Sequence, residues 1–220
     1  MSFQLILKLT TMKMFICCFI ILISINAYAQ KEQVGITGGA TFSNYSGNAK
    51  SGKYKAGITI GAIANIDIGK NFIVQPGINF VQKGARDKNN FLGIAANYSL
   101  TTNHIEVPIN LMYSINGFFI GAGPSFSFGI SGKWKYDIGG NKTEANVKFG
   151  NGDGDNMKGF DIAFNMILGG FLIKNSLFIT ANYNLGFRNL DPGTNPSSGT
   201  VNSRYFGIKI GYLLAEMKKK

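Results

Sequence analysis

Along most of its length, the chain alternates hydrophobic and polar residues with a period of two. In residues 103–115, the odd-numbered positions from Ile105 to Tyr113 are apolar, and most even-numbered positions from His104 to Met112 are polar. Asn116-Gly117 follows, the preferred pair for a type I′ turn between two β-strands. After this turn, the even-numbered positions from 118 to 130 are apolar and the odd-numbered ones are mostly Gly or Ser. The pattern predicts a β-hairpin over residues 103–131.

Eight segments share this alternation, so the sequence predicts eight strands. They span residues 33–45, 54–68, 71–83, 98–115, 117–131, 158–173, 177–190 and 201–214. No window repeats apolar residues at spacings of three and four with helix-capping signals at its ends. We therefore expect an all-β fold.

The connections between these strands alternate between short and long. Short turns are predicted at 69–70, 116–117 and 174–176, whereas the links at 46–53, 84–97, 132–157 and 191–200 are longer. Alternate links of an up-and-down antiparallel sheet lie at the same end, so short turns occupy one end and long loops the other. This asymmetry, with an even strand number, is typical of transmembrane β-barrels.

The two faces of the strands decide between a membrane barrel and a soluble, lipocalin-like cup. One face is rich in Phe, Tyr, Ile and Leu, too bulky a set for the interior of eight strands. The other face carries small, uncharged residues such as Thr59, Asn79 and Ser125. A water-facing surface would normally carry roughly a quarter charged residues. The pattern therefore predicts a barrel with its apolar residues toward lipid and a packed polar lumen.

A few charged residues share the inward face, and a charge in a narrow lumen needs a partner. We expect an internal polar network that matches Glu106 with Arg188, Lys209 or a loop lysine. Its predicted members are Asp67, His104, Glu106, Asn110, Asp161, Arg188 and Lys209. Pro76, Pro108 and Pro124 fall within strands, where the missing N–H predicts bulges or breaks in the ladder.

The N-terminus resembles a signal peptide rather than part of the fold. Lys8 and Lys13 precede a 12-residue apolar core, and Ala27-Tyr28-Ala29 fits a cleavage site. Residues 1–29 would be removed, which leaves a barrel domain at 30–220 with a short basic C-terminal tail. Start sites at Met1 and at Met12 both fit this interpretation.

Export and composition limit the partners of the mature chain. Both cysteines lie in the signal segment, which excludes disulfides and thiolate metal sites. Without Lys8 and Lys13, 20 basic residues stand against 11 acidic ones, a net charge of +9. For an exported chain, this charge favours anionic lipid headgroups over nucleic acid.

Signals for chemistry are sparse, and we expect no catalytic, cofactor or metal site. His104 is the one histidine and has no nucleophile nearby in a recognisable context. Residues 151–156 (NGDGDN) partly match a calcium loop but lack its central glycine and its closing glutamate. Trp134, between Lys133 and Lys135, is a candidate for external contacts in the long loop at 132–157.

Several motifs resemble the PorT-like outer-membrane β-barrel family of Bacteroidetes-type bacteria. They are residues 104–109 (HIEVPI) with 121–124 (GAGP), the early segment from Gly35 to Ser43, and the closing segment from Phe206 to Tyr212. The resemblance covers essentially the whole mature chain. It implies a barrel in the outer membrane of a Gram-negative cell envelope, and one family branch assists a protein-secretion system.

Together, these observations predict a non-enzymatic outer-membrane protein whose long external loops make surface contacts. A porin-like small-solute channel and a PorT-like secretion accessory are the alternatives. The loops would be extracellular and both termini periplasmic. Expected partners are outer-membrane lipid or lipopolysaccharide, the barrel-assembly machinery and, for the accessory role, secretion-system components.

Overall fold

The computed structural model describes residues 32–47, 53–91, 94–152, 154–173, 176–193 and 199–214. The predicted signal peptide and the basic tail at 215–220 lie outside these residues. The described chain forms nine strands: β1 (Glu32–Gly47), β2 (Lys53–Gly69), β3 (Phe72–Phe91), β4 (Ile94–Ile115), β5 (Phe118–Ile138), β6 (Asn141–Asn146), β7 (Phe160–Phe171), β8 (Leu177–Gly186) and β9 (Val201–Leu213). No helix within the described ranges is long and apolar enough to cross a membrane.

Eight of the strands close into an antiparallel ring, in the order β4-β3-β2-β1-β9-β8-β7-β5, with β5 paired back onto β4. The short strand β6 lies outside the ring and pairs with β5 alone. Each ring strand pairs with the strands before and after it in the ring, and the first strand also pairs with the last. The predicted all-β, up-and-down barrel is confirmed.

The ring has an apolar outside and a polar inside. Outward side chains such as Ile60 and Ile120 are 62% and 64% exposed, whereas inward side chains such as Thr59 and Ser125 are 3% and 0% exposed. Side chains alternate between the two faces of a strand, so the register that turns the polar residues inward also turns the apolar residues outward. The observed burial agrees with the predicted orientation.

The outward apolar residues form a belt of limited height. On β4, the belt runs from Ile105 to Ile115, eleven residues. At about 3.3 Å per residue and a tilt of about 45°, this length spans about 25 Å, the height of the apolar band of a membrane barrel. The residues from Ile94 to Asn103 rise beyond the belt.

The strands that rise above the belt replace two of the predicted long loops. β3 and β4 are 20 and 22 residues long, and they continue through most of residues 84–97. β5 extends to Ile138 and turns into β6, so 132–146 is largely a hairpin rather than a loop. The first prediction was wrong because residues 84–90 are mostly polar on both faces, so the alternation is lost there. The second was wrong although residues 133–138 still alternate, because their charged residues are typical of a loop rather than of a lipid-facing strand. We call this projecting part of β3–β6 the crown.

The three strand prolines break the ladder, as expected, but without a bulge. Pairing is interrupted where Pro76 faces β2, where Pro108 faces β3 and where Pro124 faces β4, and the register is the same on either side of each gap. A bulge lies instead where Asn103 pairs with Ser131 and His104 with Gly129, which leaves Ile130 as the extra residue of β5. Above Ile130 the inward and outward positions of β5 are therefore exchanged.

The short turns at the other end of the barrel follow the sequence. Asn116 and Gly117 have φ values of 51° and 84°. Positive φ at both central residues is the type I′ geometry that matches the twist of the flanking strands. Lys70 and Asn71 also have positive φ, 52° and 71°.

Candidate functional site

The lumen is filled in three layers. The layer near the short turns is apolar and contains Ile63, Met112, Phe119, Phe178 and Leu213. The middle layer is polar. The layer near the long connections is again apolar and contains Tyr45, Leu100, Val147, Met157 and Leu190. Within the described chain, cavities next to the middle and lower layers measure about 20 and 10 Å³, room for about one water each.

The middle layer centres on a buried ion pair between Lys83 and Glu106. Lys83 Nζ lies 3.0 Å from Glu106 Oε2, and both side chains are almost fully buried. The Tyr205 hydroxyl donates to Glu106 Oε1 at 2.5 Å, and Lys83 also donates to Ser127 Oγ at 3.3 Å. Lys83 lies over the ring of Tyr205, 5.2 Å from its centroid. The carboxylate thus has a counter-ion and a hydrogen-bond donor, as a buried charge requires.

Amides extend this polar layer across neighbouring strands. Asn182 donates to Asn165 at 3.1 Å, and Asn165 donates to Asn110 at 2.9 Å. The adjacent cavity of about 20 Å³ is lined by these amides, Glu106 and Lys209. This chain of hydrogen bonds between amides fixes the relative positions of the strands that it joins.

The structure brings together five of the seven predicted lumen residues. His104, Glu106, Asn110 and Asp161 are buried on the inner face, and Lys209 lines the same small cavity. Asp161 accepts a hydrogen bond from Ser203 Oγ at 2.5 Å.

Asp67 and Arg188 do not join this layer. Asp67 is exposed at the end of β2, where its carboxylate accepts a hydrogen bond from the Gly69 N–H at 2.8 Å. It therefore stabilises a tight turn. Arg188 follows β8, and its guanidinium lies 5.3 Å from the centroid of the Phe160 ring. The expected pairing of Glu106 with Arg188 is not formed, because Lys83 occupies that role.

The segment after β6 folds back into the mouth of the barrel. We call residues 147–152 and 154–158 the mouth segment. The Val147 N–H donates to the Gly132 carbonyl at 2.9 Å. A Cβ placed on Gly129 would lie 2.6 Å from the Phe149 ring, so this glycine leaves the space that the ring fills. The ring of Phe149 also meets His104 edge-on at 5.9 Å. The mouth segment therefore covers the polar layer from above.

A cleft remains open above the mouth segment, with a volume of about 320 Å³. Its apolar walls include Leu100, Trp134 and Met157, and its rim carries Arg86 and Asp191. Trp134 and Tyr136 stack with ring centroids 6.1 Å apart at 20°. We call this space the mouth cleft. Its size and mixed lining fall within the range of small-molecule and side-chain binding sites.

The three predicted external-contact residues lie on opposite faces of β5. Lys133 and Lys135 point outward, and their side chains are 57% and 56% exposed. Trp134 points inward to the mouth cleft. Glu144 on β6 bridges the two lysines, 3.4 Å from Lys133 and 2.6 Å from Lys135. Both hydrogen bonds, with the one to Lys135 contributing most, lower the pKa of the Glu144 carboxyl.

No enzyme-like arrangement surrounds the predicted candidates within the described residues. His104 Nε2 lies 2.9 Å from Thr102 Oγ1, an ordinary contact for a buried histidine. In the 151–156 segment, Asp155 accepts a hydrogen bond from the Gly152 N–H at 2.8 Å, and Asp153 lies outside the described residues. The described part of the chain holds no group of three or more His, Cys, Asp or Glu residues suited to a metal ion.

The family assignment agrees with this geometry. Residues 28–191 match the family model described as an outer membrane protein beta-barrel domain. The chain belongs to this family. The match covers most of the ring and places the protein among outer-membrane barrels. No curated protein matches the sequence.

Comparison with solved structures found outer-membrane barrels at low sequence identity. The attachment invasion locus protein Ail of Yersinia pestis, in complex with the heparin analogue sucrose octasulfate, is 14% identical with a TM-score of 0.47, covering 84% of this chain and 99% of Ail. Neisserial surface protein A is 9% identical with a TM-score of 0.47, covering 81% of this chain and 96% of that protein.

Sequence reasoning missed two residues of the barrel's polar layer. Lys83 continues the inward phase of Gln75 and Asn79 on β3, and Tyr205 shares the inward phase of Lys209 on β9. The alternation along each strand was therefore enough to place both side chains inside the barrel. Ser127 was expected inside, but its contact with Lys83 depends on how β3 and β5 face each other across the lumen, which a one-dimensional pattern does not contain.

Proposed function

We propose that this outer-membrane barrel is a non-enzymatic, non-conducting protein that presents its crown and mouth cleft to partners outside the cell. The observation that carries the proposal is the filled lumen. An ion or solute would have to displace two apolar layers and break the pair between Lys83 and Glu106. Removing the partner of such a buried charge costs about 3–5 kcal/mol, so an open state would be rarely populated.

The external contacts are assigned to the crown for two reasons. Rigid strands and a hairpin rather than loose loops form it, and binding sites on rigid elements are well ordered. It also contains the mouth cleft, where aromatic side chains surround a space of about 320 Å³. We assign the long connections to the extracellular side and the short turns to the periplasmic side, as in other membrane barrels.

Planar-bilayer recordings test the closed lumen against the porin-like alternative. The refolded mature protein is expected to insert without discrete conductance steps. Lys83→Ser/Glu106→Ser, which removes both charges and much of the middle-layer volume, serves as the comparison. Regular conductance steps from the wild type would refute the closed lumen and favour the channel.

Single cysteines test which end faces outward, because the mature chain contains no cysteine of its own. A membrane-impermeant maleimide is expected to label Lys142→Cys on intact cells and to label Lys70→Cys only after lysis. Lys142 lies on β6, and Lys70 lies in a short turn with positive φ. The reverse labelling pattern would invert the proposed topology.

The mouth cleft is tested by changing its wall without changing the barrel. Trp134→Ala enlarges the cleft, and Trp134→Phe keeps an aromatic wall. We expect Trp134→Ala cells to lose attachment to immobilised cell surfaces, and Trp134→Phe cells to retain most of it. Equal attachment of both variants and of a strain without the protein would contradict a contact role for the cleft.

A PorT-like accessory role in protein secretion is the second candidate. The motifs at 104–109 and 121–124 support it, because they resemble that family. A deletion strain that accumulates secreted proteins in its periplasm would favour this role, with secretion-system components as partners. Under either role, assembly requires the barrel-assembly machinery, and lipopolysaccharide surrounds the outer wall.

A further inference from the structure

The outer wall of the crown carries a concentrated positive charge just above the apolar belt. Residues paired across neighbouring strands point to the same side of a sheet. One row across β2–β6 reads Lys53, Arg86, Ser99, Lys135 and Glu144. The row below it on β3–β6 reads Gly84, Thr101, Lys133 and Asn146.

Lys55 adds a further charge to this wall. Its Nζ donates to Ser99 Oγ at 2.7 Å and to Thr101 Oγ1. The stem of Lys55 crosses over Gly84, where a Cβ would lie 2.9 Å from Lys55 Cδ. Gly84 therefore lets the lysine lie flat against the sheet and holds its ammonium group within the rows.

These residues form what we call the wall patch: Lys53, Lys55, Arg86, Lys133, Lys135 and Glu144. Five positive charges and one negative charge give it a net charge of +4. The row above it reads Lys88, Asn97, Asp137 and Lys142, which adds a net charge of +1. The positive charge thus lies in a band across four ring strands and β6.

The height of the wall patch suits a lipid headgroup. The apolar row of Phe80, Ile105 and Phe128 lies four residues below the row of Lys133. At about 3.3 Å per residue and a tilt of about 45°, the separation is about 10 Å along the membrane normal. One headgroup layer is about 5–8 Å thick, given about 30 Å of hydrocarbon within a bilayer of about 40–45 Å. The row of Lys133 therefore lies just above this layer, and the long Lys133 side chain can reach down to the phosphates.

The wall patch also contains a concave surface. A groove of about 340 Å³ is lined by Lys133, Lys135, Asn146, Asn103 and Gln82, together with Thr101, Ser131 and Gly132. It combines ammonium groups with amide and hydroxyl donors, the groups that bind phosphate oxygens. The bulge at Ile130 creates it, because both lysines would point into the lumen if Ile130 were a regular paired residue of β5.

We propose that the wall patch binds the phosphate groups of lipids in the surrounding outer leaflet, with the acyl chains against the apolar belt. This inference rests on the proposed function only for the side of the membrane that the crown occupies. The partner is a lipid rather than a soluble anion because the groove is continuous with the apolar wall below it. A lipid can therefore bind both surfaces at once.

Native mass spectrometry of the refolded mature protein in detergent tests the proposal, with lipid A as the phosphate-bearing probe. The test variant is Arg86→Gln/Lys133→Gln/Lys135→Gln. Each basic group near an anionic headgroup contributes on the order of fivefold in affinity. The triple variant should therefore bind lipid A on the order of 100-fold more weakly. Equal affinity of the wild type and the triple variant would overturn the proposal.

A matched variant separates the wall patch from overall charge. Lys70→Gln/Lys148→Gln/Lys158→Gln removes the same charge from the short turns and the mouth segment, and lipid A binding should change less than threefold. An equal loss in both triple variants would overturn the proposal. Pyrophosphate and phosphatidylcholine should each bind far more weakly than lipid A. Comparable binding of pyrophosphate would reassign the site to soluble phosphate.

Glu144→Gln provides a test in the opposite direction that does not risk the fold. Glu144 is half-exposed and bridges Lys133 and Lys135, so its neutralisation frees both ammonium groups. Lipid A affinity should rise about fivefold, with unchanged heat-modifiability on gels. Unchanged or weaker binding by this variant would contradict the proposal. Because all these measurements use purified protein, they can fail independently of the cell-surface labelling.

Discussion

The pair between Lys83 and Glu106 gives the sharpest stability prediction. The two groups are 3.0 Å apart with side chains 1% and 2% exposed. At that distance, with an effective dielectric constant of about 20, their attraction is about 5 kcal/mol. Glu106→Gln removes the carboxylate and leaves the lysine buried without its counter-ion. We expect a loss of about 3–5 kcal/mol in the free energy of unfolding.

The double variant Lys83→Met/Glu106→Gln distinguishes a charge effect from a packing effect. It leaves no buried charge at this position, and replacing both members of a buried pair is often close to neutral. The double variant should therefore be more stable than Glu106→Gln alone by about 2 kcal/mol or more. The amide oxygen that replaces the carboxylate can still accept the hydrogen bond from Tyr205.

Urea unfolding in phosphatidylcholine vesicles measures these differences, with the fluorescence of Trp134, the sole tryptophan, as the signal. Glu144→Gln, which changes an exposed carboxylate, serves as the control and should leave the midpoint of the unfolding transition nearly unchanged. The pair does not organise the lumen as described if Glu106→Gln lowers the free energy of unfolding no more than this control does. The same conclusion holds if the double variant is no more stable than Glu106→Gln alone.

Three further predictions follow from the crown. Deletion of Ile130 removes the bulge but keeps Asn103 opposite Ser131 and His104 opposite Gly129, so Trp134 should stay inside and quenching of its fluorescence by brominated lipids should stay unchanged. If Ile130 were a regular paired residue, Trp134 would face outward in the wild type and the deletion would turn it inward, so a several-fold fall in quenching would refute the register. Gly129→Val should expel the mouth segment, because a Cβ there would lie 2.6 Å from a packed ring, and trypsin should then cleave that segment faster in proteoliposomes. The pKa of Glu144 is lowered chiefly by its hydrogen bond to Lys135. The β5–β6 hairpin should therefore retain the small stabilisation from this hydrogen bond at any pH above the ordinary carboxyl pKa of 4.5. It should lose that contribution as the pH falls through the lowered value, and amide exchange on β6 would then accelerate in the wild type but not in Glu144→Gln.

The sequence predicted the ring because alternation is strongest where the two sides of a strand meet different surroundings. From Ile105 to Ile115, one side of β4 meets hydrocarbon and the other meets a packed lumen, so each residue type identifies its face. Above Asn103, water surrounds the outer side as well. Polar residues then suit the outer face as well, so the contrast between a lipid-facing side and a lumen-facing side no longer marks the strand.

The candidate site was predictable only in part, for a related reason. Inward phase is a property of one strand, and it placed Glu106, Asn110 and Asp161 inside the barrel. Pairing across the lumen depends on the stagger between strands and on bulges. Whether Ile130 is bulged or pairs regularly decides whether Lys133 and Lys135 face the membrane or the lumen. No local sequence preference marked this position as a bulge.

The orientation of the barrel is tested most directly by spin labels along β4. Single cysteines at residues 104–113 can each carry a nitroxide in protein produced as residues 30–220, because the chain's two cysteines, Cys17 and Cys18, lie before this range. Collisions with oxygen, which concentrates in hydrocarbon, should alternate with a period of two and be highest at Ile105, Val107, Ile109, Leu111 and Tyr113. Oxygen maxima at His104, Glu106 and Asn110, or a water-soluble relaxation agent reaching the Ile105 series, would contradict the arrangement on which this account depends.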